Sequence, residues 1–324
     1  MNLFDTFQSL AAGLDAAVLG QQQLTERLLI GLLADGHLLL EGAPGLAKTR
    51  AIKVLAGLLE GSFARLQFTP DLLPADLTGS EVFRPQDGSF HFVRGPLFHD
   101  FVLADEINRA PAKVQSALLE AMAERQITVG QSSYKLPDLF MVLATQNPIE
   151  HEGTYALPEA QLDRFLMYLR IDYPDARVER DILLLARTEA RAALGATREV
   201  PAEPVATREQ LFAARRAVLD LYLAPELEEY IVQIVTASRQ PQTVAAELAG
   251  TVRFGASPRG SIALERCARA RAWLAGRDYV SPADIQSLAP DVLRHRILLT
   301  YEAEAGGMTP DQLIETLLQR LPVP

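Results

Sequence analysis

The sequence is poor in cysteine, lysine, aromatic residues and long apolar segments. Its single cysteine, Cys267, has no partner for an intramolecular disulfide, which excludes a disulfide-stapled secreted scaffold. Apolar runs such as Leu28–Ala34 are far shorter than the roughly 18 residues of a transmembrane helix. The stretch Met1–Gly20 contains no Lys or Arg, which argues against a secretory signal. We therefore expect a cytoplasmic protein without an integral membrane segment.

What the sequence does contain is typical of a globular protein of more than one domain. Its 324 residues are about twice the usual single-domain length, with 48% hydrophobic and 22% charged residues. The 31 basic residues are outnumbered by 41 acidic ones, giving a net charge of −10. Nucleic-acid binding depends on cationic surface, so this balance argues against a general nucleic-acid partner.

The first 174 residues alternate short apolar runs with longer helical patterns, as in a parallel sheet with crossover helices. A helix is predicted over Pro111–Glu124, with Pro111 in its first turn and Val114, Leu118 and Ala121 on one face. The fold class predicted for this region is α/β. The predicted strands are His37–Leu40, Ala64–Phe68, Phe101–Ala104, Leu139–Ala144 and Leu166–Ile171.

Two segments interrupt this alternation and predict β-hairpins, at residues 81–93 and 127–136, with turns at Asp87–Gly88 and near Gly130. From Asp175 onward we find no convincing strand, and Ala, Leu and Arg recur at helical spacing. We therefore predict two domains, an α/β domain at residues 1–174 and a helical domain at residues 175–324. Ser257-Pro258 and Ser281-Pro282 are predicted helix starts.

A glycine-containing turn lies between a predicted strand and a predicted helix, which is the setting of a phosphate-binding loop. In such a loop the backbone N–H groups and the helix N-terminus face the phosphates. Lys48 would reach the terminal phosphates and Thr49 would hold Mg²⁺. The usual pattern has glycine where this chain has Ala47. The segment consists of Gly42, Ala43, Pro44, Gly45, Leu46, Ala47, Lys48, Thr49 and Arg50.

Two further predicted strands end in polar residues that suit the same chemistry. Asp105 and Glu106 follow Phe101–Ala104, at the strand edge where open α/β sheets bind ligands. There Asp105 would help to hold Mg²⁺ and Glu106 would deprotonate the attacking water. Asn147 follows Leu139–Ala144 and could bridge the γ-phosphate and the water, or form an Asx-type turn before Pro148.

Taken together, these motifs resemble those of the MoxR-type AAA+ ATPases, from about Leu19 to Leu299. Ala47 fits this resemblance, because the family's phosphate loop carries alanine before lysine. The segments that show the resemblance are Glu41–Thr49, Phe68–Pro74, Leu103–Ala110, Ala144–Pro148 and Leu157–Phe165.

The resemblance implies an αβα nucleotide-binding core followed by a smaller all-α lid. It also implies a homo-oligomeric ring, commonly a hexamer, with ATP and Mg²⁺ held between subunits. By matching positions, Asn147 is the sensor 1 residue and Arg164 the arginine finger that acts on the neighbouring subunit. Arg259 is the sensor 2 arginine of the lid, and Gly20 and Gln21 belong to the adenine side of the pocket.

The resemblance further implies a chaperone-like ATPase that remodels partner proteins, often together with proteins containing von Willebrand factor A domains. The hairpins at 81–93 and 127–136 correspond to loops that contact substrates in such rings. The alternative is a nucleic-acid motor related to helicases, although the tip Gly130–Ser133 contains no Lys or Arg. A small-molecule kinase fits less well, because the lid of such kinases is usually inserted within the core, whereas the predicted lid here is C-terminal. A scaffold that binds ATP without hydrolysing it would have no need of Glu106 as a base.

Overall fold

The computed structural model describes residues 2–42, 48–86, 88–146, 154–194 and 204–324. Its helices are α1 (Leu3–Ala17), α2 (Gln22–Leu33), α3 (Lys48–Leu58), α4 (Pro74–Thr78), α5 (Ala112–Glu124), α6 (Glu159–Leu162), α7 (Ala176–Leu194), α8 (Arg208–Leu219), α9 (Pro225–Ala237), α10 (Pro258–Leu274), α11 (Pro282–Leu293), α12 (Tyr301–Ala305) and α13 (Pro310–Arg320). Its strands are β1 (Leu38–Gly42), β2 (Phe63–Gln67), β3 (Gly79–Arg84), β4 (Ser89–Arg94), β5 (Phe101–Asp105), β6 (Gln126–Val129), β7 (Ser132–Lys135), β8 (Met141–Gln146), β9 (Met167–Ile171), β10 (Val252–Phe254) and β11 (Leu298–Leu299).

A central sheet joins five strands in the order β2-β5-β8-β1-β9. All five correspond to predicted strands, with ends that differ by at most two residues. β5 pairs in parallel with β2 on one side and with β8 on the other. Residues Phe101–Ala104 of β5 are fully buried, as their uninterrupted apolar sequence predicts for a strand covered on both faces.

Helix α5 forms where the apolar spacing predicts it and buries Val114, Leu118 and Ala121. The expectation that Pro111 lies in its first turn is wrong, because Pro111 is the N-cap residue and has extended backbone angles (φ −58°, ψ 153°). Proline suits this position as well, since its missing N–H would have had no partner within the helix.

Both predicted hairpins are present. β3 pairs with β4 in antiparallel register, with Phe83 opposite Phe90, and β6 pairs with β7. Gly130 has φ +61°, a left-handed conformation that glycine adopts without strain. Of the other predicted turn, Asp87 lies outside the described residues.

The chain divides into two units. The first contains Met1–Leu29, Leu40–Tyr155 and Arg170–Leu211, and the second contains Ile30–Leu39, Ala156–Leu169 and Phe212–Pro324. The predicted domain boundary after Pro174 stays a prediction. Among the described residues, none of the helices combines the length and the apolar character that crossing a bilayer requires.

The second unit is mainly helical, and both predicted helix starts are confirmed. The Ser257 hydroxyl accepts a hydrogen bond from the backbone N–H of Arg259, and Ser281 forms a capping box with Asp284. The prediction missed the antiparallel pair β10 and β11. These strands are only two or three residues long, too short to show an alternating pattern.

Asp284 is the most heavily hydrogen-bonded carboxylate of this unit and has no exposed surface. It accepts hydrogen bonds from Arg277 at 2.6 and 2.7 Å, from Arg271 at 2.7 Å, and from the Ser281 hydroxyl at 2.7 Å. Burial opposes ionisation, but these donors outweigh it and lower the pKa of Asp284 to about 2 from 3.8. This carboxylate therefore ties the start of α11 to the end of α10 and the loop after it.

We expect the Asp284 carboxylate to make the protein sensitive to acid. Because its pKa is lower in the folded protein, its contribution is complete above about pH 4 and is lost as pH falls toward 2. Asp284→Asn removes one partner of a buried pair and should cost about 3 kcal/mol at neutral pH. Thermal unfolding between pH 2 and 7 measures both effects.

Glu247→Gln is the matched control. It breaks an ion pair with Arg320 in which both side chains are more than half exposed, so it should change stability by less than about 1 kcal/mol. An Asp284→Asn protein as stable as this control would contradict the prediction.

Candidate functional site

The site is assembled at the carboxyl ends of β1, β5 and β8. Lys48 is the first residue of α3, and its ammonium donates a hydrogen bond to the carbonyl oxygen of Gly42, the last residue of β1, at 2.6 Å. Thr49 lies half-buried in the same first turn. Arg50 points back and donates to the carbonyl oxygen of Ala17 at 2.5 Å, which ties α3 to the end of α1.

Two glycines predicted to contact a nucleotide are required by close packing. A Cβ at Gly42 would lie 2.6 Å from the carbonyl oxygen of Ile171, so only glycine fits there. Gly20 has φ +73°, and a Cβ there would lie 2.2 Å from Val178. Next to it, the Gln21 side chain donates to the carbonyl oxygen of Asp172 at 3.3 Å.

Part of the predicted site lies outside the described residues. This applies to Ala43, Pro44, Gly45, Leu46 and Ala47 of the predicted phosphate-binding loop, and to Asn147. Their assignments stay predictions.

Asp105 and Glu106 lie side by side at the end of β5. One carboxylate oxygen of Asp105 accepts from the Thr145 hydroxyl at 2.7 Å, and the other accepts from Arg65 on β2 at 2.7 Å. The Glu106 carboxylate accepts from the Gln67 amide at 2.8 Å and from Arg109 at 3.1 Å. Both acids are therefore fixed by side chains from neighbouring strands and from the following turn.

The backbone of Glu106 is in the left-handed conformation, with φ 58° and ψ 50°. For a residue with a Cβ this conformation costs roughly 1–2 kcal/mol, so the surrounding contacts must hold it in place. The adjacent turn Ile107–Arg109 supplies one such constraint. The buried Gln115 amide lies 3.2 Å from the Ile107 carbonyl oxygen and 3.1 Å from that of Ala110.

Thr145 is the residue that the sequence argument missed. Its hydroxyl is buried, accepts a hydrogen bond from the backbone N–H of Glu106 at 2.9 Å and donates to Asp105. Its position along the strand could have revealed this role. The parallel register places Ala144 beside Ala104, and therefore Thr145 beside Asp105. One hydroxyl thus orients both acids.

Lys48 and the two acids act on one another electrostatically. Burial lowers the pKa of Lys48, while the negative charges of Asp105, Glu106 and Glu41 act in the opposite direction. The lysine thus lies within the electrostatic field of both carboxylates.

Arg164 and Arg259, in contrast, both belong to the second unit. Arg164 follows α6, and its side chain is exposed. The backbone on both sides of it is fixed by the buried guanidinium of Arg296. That group donates to the carbonyl oxygens of Asp163 at 3.2 Å and Phe165 at 2.7 Å.

Arg259 lies in the first turn of α10, and its side chain is 58% exposed. Its guanidinium lies 3.7 Å from the carboxylate of Asp163, the residue that precedes Arg164. Arg259 therefore lies beside the residue that precedes Arg164, although 95 positions separate Arg164 from Arg259 in the sequence.

Two family profiles match the chain. The one described as "ATPase family associated with various cellular activities (AAA)" matches residues 37–167, which include Lys48, Asp105, Glu106 and Arg164. The one described as "AAA lid domain" matches residues 245–317, which include Arg259.

Relatives match nearly the whole chain. Chaperone MoxR1 of Mycobacterium tuberculosis is 44% identical over 308 residues, which are 95% of this chain and 79% of that protein. Protein MoxR of Methylorubrum extorquens is 36% identical, over 95% of this chain and 92% of that protein. A crystal structure of a protein from Cytophaga hutchinsonii has a TM-score of 0.90 and 42% identity, and covers 99% of this chain and 96% of that one.

These matches confirm the predicted fold class, an AAA+ αβα core with a central parallel sheet and a smaller helical lid. The chain belongs to the MoxR family of chaperone-like AAA+ ATPases.

Removal of the Thr145 hydroxyl should destabilise the protein more than removal of its methyl group. Thr145→Val leaves the Glu106 N–H without its acceptor, at a cost of about 1–3 kcal/mol. Thr145→Ser keeps the hydroxyl and loses only buried methyl surface, so it should cost about 1 kcal/mol. Urea denaturation gives both values, and a valine variant more stable than the serine variant would contradict this assignment.

Proposed function

We propose that the protein hydrolyses ATP with Mg²⁺ at sites shared between the subunits of a homo-oligomeric ring, commonly a hexamer, and uses the energy to remodel partner proteins. The observation that carries this proposal is the convergence of Lys48, Asp105 and Glu106 at the ends of β1 and β5. A helix N-terminus with a lysine, next to two carboxylates, matches the charge pattern of a Mg²⁺-bound triphosphate.

The residues present suit the proposed cofactors. The Thr49 hydroxyl and the Asp105 carboxylate provide hard oxygen ligands, which Mg²⁺ prefers, and Lys48 provides a cation for the terminal phosphates. Among the described residues, no group of three or more His, Cys, Asp or Glu could hold a metal alone. Mg²⁺ would therefore be held jointly by the chain and the phosphates, and would neutralise charge on them.

Glu106 would orient a water molecule and accept its proton. Its backbone is fixed by Thr145, and its carboxylate is held between Gln67 and Arg109 at the edge of the sheet. Asn147 would contact the γ-phosphate and this water, and Arg259 would bind the phosphates from the lid.

Glu106→Gln should keep ATP binding, but its rate of ATP hydrolysis should fall by a factor of about 10²–10⁴, because the amide cannot accept the proton. Lys48→Ala should lose both. Steady-state phosphate release and ATP titration measure the two properties. Glu60→Gln, an exposed acid just beyond α3, is the control and should behave as the wild type. Undiminished hydrolysis in Glu106→Gln would refute the role of Glu106 as base.

The sharing of sites between subunits rests on Arg164. An exposed side chain on a backbone segment clamped by Arg296 suits a group that reaches a neighbouring molecule. An arginine finger stabilises charge developing on the γ-phosphate and is worth about 10³–10⁵ in rate in related NTPases. An exposed ion pair, the alternative role, contributes only about 0–1 kcal/mol to stability.

Arg164→Ala should therefore leave folding and ATP affinity intact while removing most hydrolysis. Mixing Arg164→Ala with Lys48→Ala subunits should restore activity wherever an intact Lys48 meets an intact Arg164. Subunit exchange is checked with labelled chains. Mixed assemblies that exchange subunits but are no more active than the two variants alone would refute action between subunits.

A protein partner is supported by the hairpin β3–β4. Val82, Phe83, Phe90 and Val93 are all exposed, and the rings of Phe83 and Phe90 lie 5.3 Å apart. Exposed apolar side chains of this kind favour contact with protein surfaces. We propose that this hairpin binds the client protein or an adaptor protein, such as one with a von Willebrand factor A domain.

The second hairpin packs against the first to form one surface. Phe92 on β4 stacks on Tyr134 of β7 at 3.9 Å between ring centroids, with 14° between the ring planes. The two hairpins are thus joined by an aromatic contact, and the tip of β6–β7 presents Gly130–Ser133 without a basic residue. A tip without a basic residue suits a protein better than a nucleic acid.

A further inference from the structure

Asp163 belongs to the second unit and immediately precedes Arg164. One of its carboxylate oxygens accepts from Arg296 at 2.8 Å. The other accepts from the Ser257 hydroxyl at 2.9 Å and lies 3.7 Å from the guanidinium of Arg259. One carboxylate thus contacts both the arginine that fixes the backbone around Arg164 and the predicted lid arginine.

The contact of Asp163 with Arg296 is stronger than its contact with Arg259. Arg296 is 3% exposed, and its carbonyl contacts at Asp163, Phe165 and Leu166 keep it in place. Burial lowers the pKa of Arg296, and the carboxylate of Asp163 acts against this by favouring its charged form. This pair is a fixed structural element.

The contact with Arg259 is loose by comparison. Its distance exceeds that of a hydrogen bond, and the Arg259 side chain is more than half exposed. Only the backbone of Arg259 is fixed, because its N–H donates to Ser257, which in turn donates to Asp163. The guanidinium can therefore leave Asp163 without disturbing the start of α10.

We propose that Asp163 is a positioning residue for Arg259, which holds its guanidinium until the terminal phosphate of ATP competes for it. This inference rests on the proposed role of Arg259 in binding ATP. The carboxylate and the phosphate attract the same cation, so the ion pair lowers ATP affinity while it keeps Arg259 near the segment that carries Arg164. ADP, which lacks the terminal phosphate, does not draw Arg259 away.

A double-mutant cycle tests the competition. ATP and ADP are titrated calorimetrically, with Mg²⁺, into Glu106→Gln, which prevents turnover, and into this variant with Asp163→Asn, Arg259→Ala or both. Asp163→Asn should tighten ATP binding about two- to five-fold, the range for an exposed ion pair, and leave ADP binding unchanged. In the Arg259→Ala background the same change should have no effect.

Two variants control for a merely structural effect. Asp163→Glu keeps the negative charge and should return ATP affinity toward that of Glu106→Gln alone. Asp311→Asn removes a different carboxylate of the same unit, which accepts from the largely buried Arg294 at 2.8 Å, and should not change affinity for either nucleotide.

The inference is overturned if Asp163→Asn weakens ATP binding, changes ATP and ADP binding equally, or acts equally with and without Arg259. It is also overturned if Arg259→Ala leaves ATP affinity unchanged. Failure of the proposed function gives a different result, because ATP binding would then be absent or would survive Lys48→Ala.

Asp163→Asn leaves Arg296 buried without its carboxylate, which can prevent folding. In that case Asp163→Asn with Arg296→Gln removes the buried charge together with its partner. The double variant should bind ATP more tightly than Arg296→Gln alone, by the same two- to five-fold factor. This difference should disappear when Arg259 is also replaced by alanine. Its absence in a folded protein overturns the inference.

Discussion

The parallel register between β5 and its two neighbours is the constraint on which the site depends. It sets Gln67 beside Asp105 and Ala104 beside Ala144, so that polar residues at the carboxyl ends of three strands meet at one edge. A shift of one residue would move Thr145 away from the Glu106 N–H and Gln67 away from the Glu106 carboxylate. The apolar sequence that buries β5 and β8 also fixes the positions of the residues at their ends.

A second general feature is the use of arginine to satisfy buried carboxylates. All but four of the 31 basic residues are arginine, and the planar guanidinium donates in several directions at once. Arg296 contacts four carbonyl groups and a carboxylate, and Arg277 binds both oxygens of Asp284. Lysine could not form these arrangements. In the lid, charge pairs therefore complement apolar packing between helices.

The parts of the site that the sequence predicts are those encoded by contiguous residues. Lys48 and Thr49 follow a strand and begin a helix, and Asp105 and Glu106 end a buried strand, so local pattern was sufficient. The strands and the two hairpins were predicted for the same reason. The short strands β10 and β11 were not, because two or three residues carry no recognisable period.

Most contacts that hold the acids could not be predicted, because they join residues that are distant in sequence. Gln67 lies 39 residues from Glu106 and Arg65 lies 40 residues from Asp105, and only the strand register places them beside these acids. Arg109, three residues after Glu106, is the exception. Arg164 and Arg259 were identified through family resemblance alone. Their shared neighbour Asp163 is evident only from the packing of the second unit.

The assignment of Arg164 to the same compact unit as α10 and Arg296 has a mechanical consequence. Because the Arg296 guanidinium donates to the backbone on both sides of Arg164, that segment moves together with the unit that contains α10, even when the Arg259 side chain changes its contacts. In a ring of the kind proposed above, a movement of this unit in response to nucleotide would also move Arg164 relative to the neighbouring subunit. Coupling between successive sites would then arise within each subunit.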